Sequence, residues 1–187
     1  MEVFESDLPG VLRIQPKVFG DARGFFVETF QAERYADRGV TGPFVQDNMS
    51  RSAPGILRGL HLQHPNGQGK LVSVVEGRVL DVAVDVRVGS PTFGRHVSEV
   101  LDAERKNQLW IPPGFAHGFC VLGDAPATFV YKCTAIYAPE HELSVLWDDP
   151  DLGIDWPIDA PKLSDKDRAA QRLKDIPEDR LPRWEGA

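Results

Sequence analysis

The sequence is poor in residues that staple a fold or span a bilayer. It holds only two cysteines, two methionines and three tyrosines in 187 residues. It also lacks any uninterrupted apolar run of about 18 residues, so no membrane-spanning helix is expected. No basic, apolar leader opens the chain. Cys120 and Cys133 cannot build a disulfide framework and lack metal-type spacing. They read as small apolar residues in a reducing compartment, and cytoplasm is the expected location. Positive charge is short as well: 21 Lys and Arg face 28 Asp and Glu, a net of −7. That balance argues against nucleic acid as the main partner. The deficit is uneven, however. Residues 1–135 carry 14 basic against 15 acidic side chains, and residues 136–187 carry 7 against 13. The acidic excess belongs to the tail, which leaves room for a local anion site upstream.

What is present is glycine (17), proline (15) and 42% hydrophobic residues. This suits a real core built from many short segments joined by turns. The run Val79 to Val88 alternates strictly, with Leu80, Val82, Val84, Val86 and Val88 on one side and Asp81, Ala83, Asp85 and Arg87 on the other. Residues 70–75 form a second strand, and Glu76-Gly77-Arg78 reads as a turn joining the two into a hairpin. Further strands are expected at 24–30, 57–63, 97–101, 108–111, 118–121, 127–133 and 143–147, with one weak helix at 31–37. An N-terminal strand around 11–14 is a candidate for exchange between protomers. About ten short strands point to an all-β antiparallel double sheet, a sandwich or barrel able to hold one ligand. The chain reads as one domain, 1–187, with the barrel over roughly 10–150. The acidic, Pro-rich tail 151–187 packs on it and carries a short helix at 165–174 capped by Ser164.

Four segments place polar groups inside apolar strands: Gln46-Asp47-Asn48, Arg58 to His64, His117-Gly118-Phe119 and Tyr131-Lys132. Burying Arg and His is costly without partners, so such a cluster usually has a purpose. Regular alternation sets Arg58 and His61 on opposite faces of their strand, and a bulge at Gly59 brings Arg58 round. A lone histidine is more often a satisfied core residue than a functional one. The polar company of His61 and His117 changes that weighting. His96 reads as a surface residue, and His64 marks a strand end. Several histidines in a small barrel also raise a metal reading, but His61-x-x-His64 points the two rings to opposite faces, which makes that signal weak.

Longer strings carry a family resemblance. They include Asp21-Ala22-Arg23-Gly24-Phe25-Phe26-Val27-Glu28, Val45-Gln46-Asp47-Asn48-Met49-Ser50, Leu57-Arg58-Gly59-Leu60-His61 and Gln68-Gly69-Lys70-Leu71-Val72. Ile111-Pro112-Pro113-Gly114-Phe115-Ala116-His117-Gly118-Phe119, Tyr131-Lys132, Trp147-Asp148-Asp149-Pro150 and Leu163-Ser164-Asp165-Lys166-Asp167 complete the series. In this order the chain resembles the dTDP-4-dehydrorhamnose 3,5-epimerases over nearly its whole length. The resemblance implies a cupin-type jelly roll, a homodimer, and no need for a metal or other cofactor. It implies an isomerase acting on a dTDP-4-keto-6-deoxy sugar in deoxysugar (rhamnose) biosynthesis. It makes His61 the general base, Tyr131 the acid on the opposite face of the sugar, and Asp167 the partner of His61, with Asp165 the weaker candidate. Lys70 and Arg58 would sit near the ketone oxygen. Arg23, Glu28, Gln46, Asp47, Asn48, His117, Glu142 and Lys166 would line the nucleotide and sugar sites, and Tyr137 would stack on the base. Leu62 and His96 depart from the family pattern where aromatic residues are frequent, which bears on fine substrate preference.

The residue types suit the chemistry. A ketone at C4 acidifies the C3 and C5 protons, and a histidine, with a reference pKa of about 6.5, is a competent base near neutral pH. The enolate oxygen needs a cation or donors, and inversion needs a proton from the other face. A tyrosine, with a reference pKa of about 10, holds that proton until it is required. Two alternatives stay open: an epimerase acting at C3 or C5 only, and a metal-dependent cupin oxygenase or isomerase using the same histidines. A non-catalytic sugar-nucleotide binder is disfavoured, since it has no use for an acid and a base on opposite faces.

Overall fold

A computed structural model describes residues 1–186. Thirteen strands and two short helices follow one another. They are β1 (Glu2–Glu5), β2 (Leu12–Gln15), β3 (Val18–Asp21), β4 (Gly24–Val27), α1 (Ala32–Ala36), β5 (Gln46–Ser52), β6 (Leu57–Gln63), β7 (Lys70–Glu76) and β8 (Arg78–Asp85). Then come β9 (His96–Asp102), β10 (Gln108–Ile111), β11 (Phe115–Val121), β12 (Ala127–Cys133), β13 (Glu142–Ser144) and α2 (Asp165–Arg168). No helix among the described residues is long and apolar enough to cross a membrane.

The strands form two antiparallel sheets, β1-β2-β10-β7-β12-β5 and β13-β6-β11-β8-β9, with β3 and β4 as a separate ribbon. This is the expected jelly-roll double sheet, although its edges do not join into a closed barrel. Between the sheets lies an apolar layer containing Val72, Val74, Ala83, Leu101, Leu109, Phe119 and Phe129. β2 pairs with β1 and β10 of its own chain.

Residues 70–76 and 78–85 are strands, but they are not a hairpin. β7 pairs with β10 and β12, while β8 pairs with β11 and β9 in the opposite sheet. One residue, Gly77, separates them, too few for a two-residue hairpin turn. Its φ is 74°, and a Cβ there would lie 2.4 Å from the Pro126 carbonyl oxygen. The glycine turns a corner between layers.

The two sides that alternation gives β8 are both buried. Val79 and Ala83 face the layer between the sheets, and Val82, Val84 and Val86 pack under the C-terminal tail. Asp81 and Asp85 are fully buried. Leu152, Trp156, Leu173, Ile176 and Leu181 of the tail cover the outer face of the five-stranded sheet. Within that tail the expected helix stops early. After α2, Gln171 leaves the helical path to bridge Val145, and the Leu146 N–H donates to the Gln171 carbonyl at 2.8 Å. Ser164 does cap α2, accepting from the Asp167 N–H. His96 differs from its expected surface setting: it opens β9, half-buried, with Nδ1 3.0 Å from the Leu152 carbonyl oxygen.

Candidate active site

The site begins with an irregularity in β6. His61 pairs with His117 of β11 and Arg58 with Phe119, so one extra residue of β6 is accommodated between them. Gly59, with φ 125°, occupies this bulge, and a Cβ there would stand 2.5 Å from the Gly118 Cα. Only a glycine pair allows the two backbones to come so close. The consequence is that Arg58 and His61 line the same cavity instead of opposite faces.

That cavity, about 160 Å³, is also lined by Lys70, His117, Phe129 and Tyr131. His61 and His117 come from the five-stranded sheet, and Lys70 and Tyr131 from the six-stranded sheet. A ligand between the layers is thus flanked by an imidazole on one side and a phenol on the other. His61 Nε2 lies 2.5 Å from Asp167 Oδ1, a carboxylate with a side-chain exposure of 3%. Burial tends to raise the Asp167 pKa, but hydrogen bonds from His61 and the Ser164-capped turn hold it below the ordinary carboxylate value. Asp165, on the same turn, is solvent-exposed and approaches only Arg168. Burial pulls the Lys70 ammonium below its ordinary pKa and pushes the Tyr131 phenol above its own.

The remaining candidates divide into two groups. Gln46 and Asn48 share the inner face of β5: the Gln46 amide donates to Asn48 Oδ1 at 2.9 Å, and its oxygen accepts from the Tyr137 N–H at 2.9 Å. Tyr137 donates its hydroxyl to Glu142 at 3.0 Å, and Glu142 pairs with Lys166 at 2.8 Å, which builds one rim beside the cavity. Arg58 Nε donates to Ser52 Oγ. Asp47, by contrast, points to the outer face of β5 and pairs with Lys132 at 2.9 Å. Arg23 is held by Asp21 on the β3–β4 ribbon, and Glu28 pairs with Arg34. None of these three lines the His61 cavity of its own chain.

One interior group escaped the sequence reading. Asp81 Oδ2 bonds His117 Nε2 at 2.9 Å, and Asp81 Oδ1 is buried without a partner. A carboxylate inside the run Val79-Leu80-Asp81-Val82 was the available signal; alternation gave its side of the strand but not the partner it meets there. No group of three or more His, Cys, Asp or Glu side chains among the described residues is arranged to hold a metal ion.

Comparison with known proteins gives the family. The family model described as dTDP-4-dehydrorhamnose 3,5-epimerase matches residues 5–175. A dTDP-4-dehydrorhamnose 3,5-epimerase of Pseudomonas aeruginosa is 55% identical over 177 residues, 94% of this chain and 97% of that protein. The relative of the same name in Neisseria gonorrhoeae is 54% identical over 91% of this chain, which spans about half (52%) of that longer protein. Among solved structures, a dTDP-6-deoxy-D-glucose-3,5-epimerase of Legionella pneumophila in complex with dTDP-4-keto-L-rhamnose superposes with a TM-score of 0.96. It shares 53% identity and covers 99% of both chains.

Proposed function

Because the chain belongs to the dTDP-4-dehydrorhamnose 3,5-epimerase family, we propose that it is an isomerase converting dTDP-4-keto-6-deoxyglucose to dTDP-4-keto-L-rhamnose. It does so by inverting C3 and C5 beside the C4 ketone, as a cytoplasmic step of deoxysugar biosynthesis. The observation that carries the reading is the placement of the His61–Asp167 pair and Tyr131 on facing sheets around one cavity.

With Nε2 bonded to Asp167, the neutral His61 ring keeps its proton on that nitrogen, and the Nδ1 lone pair is the base. It removes the proton next to the ketone, and the electron pair of the C–H bond moves into the enolate. Asp167 stabilises the imidazolium that results. The enolate oxygen is met by Lys70, whose charge is worth more inside the double sheet than in water. Tyr131 then protonates carbon from the opposite side. A base alone would return the proton to the face it came from, so inversion depends on the second sheet. Around this centre, Arg58, Gln46, Asn48, His117, Glu142, Lys166 and Tyr137 bind the sugar nucleotide, with Tyr137 offering an aromatic face to the base.

We further assign a homodimer to this chain. Phe19, Phe25, Phe26, Met49 and Val75 are exposed large apolar residues on the ribbon and the outer six-stranded sheet, and a second copy covers them. Arg23 and Glu28, both away from their own cavity, would then serve the neighbour's.

The reading is tested in deuterated water by NMR of the substrate with no added metal. The expected result is solvent deuterium at both C3 and C5 and formation of the L-rhamno product. Label at one carbon only would instead identify a single-centre epimerase. Exchange that persists in His61→Asn would reject the assigned base.

A further inference from the structure

The small cavity is large enough for a hexose ring, but a diphosphate attached to that ring must leave through an opening. Arg58 and His61 also line a second, wider cavity of about 490 Å³, floored by the C-terminal strap that carries Lys162, Ser164, Lys166 and Asp167. These two residues are therefore the boundary between the spaces. The strap is fixed there by its backbone: the Lys162 N–H donates to the Gly55 carbonyl at 2.7 Å, and the Lys162 carbonyl accepts from the Leu57 N–H at 3.3 Å. Lys162 bridges Ile56, two residues from Arg58, in parallel fashion.

Charge in this groove is unbalanced. Lys166 is paired with Glu142, and Asp167 with His61, whereas neither Arg58 nor Lys162 has a carboxylate partner among the described residues. Two free cations thus face one groove in a chain of net charge −7.

We propose that this groove takes the diphosphate of the sugar nucleotide and that Lys162, on the strap, is a specificity-determining cation for it. The proposal rests on the epimerase reading above and adds a residue that the family motifs do not mark. Lys162 has a long side chain with no competing partner on a fixed backbone, so it meets the phosphates without giving up another contact. Its contribution is electrostatic and falls with salt.

Calorimetric titration of dTDP and of thymidine tests this, using wild type, Lys162→Ala, Lys162→Glu and Lys162→Arg. Lys174→Ala serves as a surface-lysine control. An exposed ion pair predicts dTDP binding weakened roughly fivefold in the alanine variant, more in the glutamate variant, and restored to within about twofold by arginine. Thymidine affinity is expected to be equal in all of them. The KM for the keto sugar should rise in step with the loss, while kcat is held. Unchanged dTDP affinity in Lys162→Ala and Lys162→Glu would overturn the proposal and leave the epimerase reading standing. An equal loss for thymidine would overturn it too, since the effect would not pass through the phosphates. A wild-type protein with no affinity for dTDP defeats the epimerase reading itself, and the proposal with it.

Discussion

At the scale of single residues, the proposed mechanism separates proton removal, charge stabilisation and proton return among three side chains with different surroundings. Tyr131→Phe removes only the last of these. It is expected to lower product formation by roughly 10²–10⁴-fold, the usual contribution of a positioned acid, while deuterium still enters the carbon that His61 deprotonates. Loss of exchange and inversion together would show that Tyr131 does more than donate. Lys70→Met should cost about 2.7–4 kcal/mol of transition-state stabilisation, as for other preorganised donors, seen in kcat more than KM. Because burial lowers the pKa of Lys70, the charge it supplies is lost at a lower pH than for a free lysine. The alkaline limb of the kcat profile should therefore fall below the ordinary lysine range of about 10.4. Asp167 has the opposite bearing, on stability. Its carboxyl is held below the ordinary aspartate value of about 3.9, so its stabilising contribution is complete above that pH and is lost as pH falls through the folded value. The urea midpoint of wild type should exceed that of Asp167→Asn at pH 7, and the gap should close under acid.

At the scale of elements, much of the arrangement could be read before any coordinates. The strands at 57–63, 108–111 and 127–133 have the expected bounds, because apolar alternation and the flanking turns marked both ends. The bulge that brings Arg58 beside His61 was suggested by Gly59 alone. The 70–76 and 78–85 pair failed as a hairpin because sequence shows that a chain turns but not which sheet it enters. β5 was indicated only by Gln46-Asp47-Asn48 and given no bounds, since those residues and Arg51 hide its period. Asp81 was set correctly on the Ala83 side of its strand, but its bond to His117 was not legible because alternation does not say which side faces the other sheet. The site was legible through its motifs, whereas its second carboxylate needed the packing. The bulge also makes a sharp prediction. Gly59→Ala places a Cβ against the Gly118 backbone at a φ of 125°, and overpacking with strain should cost about 2 kcal/mol or more. The loss appears as a lower urea midpoint, with activity falling further than stability because Arg58 and His61 lose their common cavity.

At the scale of the whole molecule, the two faces of the double sheet are treated differently. The tail covers the outer side of the five-stranded sheet with Trp156, Leu173, Ile176 and Leu181. Phe30, Tyr35, Val40 and Phe44 cover only the β2-β10-β7 part of the six-stranded sheet, and beyond them Met49, Val75 and Val130 line an open cleft of about 400 Å³. The ribbon beside it exposes Phe25 by 62% and Phe26 by 67%. Leaving so much apolar surface in water is unfavourable at roughly 25 cal/mol per Å², and a twofold partner with the same face removes both patches at once. The two features that the single chain leaves unexplained then share one cause. The apolar sheet needs a cover, and Arg23 on the ribbon needs a cavity to serve. Light scattering should return twice the chain mass of 20.8 kDa. If the proposed dimer uses this face, Met49→Asp would place a charge in the interface and should shift the protein toward monomer. If Arg23 reaches the neighbouring cavity, that monomer also loses affinity for dTDP although His61, Tyr131 and Lys70 are untouched. A monomeric variant that binds dTDP as tightly as wild type would separate assembly from the site and return Arg23 to a surface role.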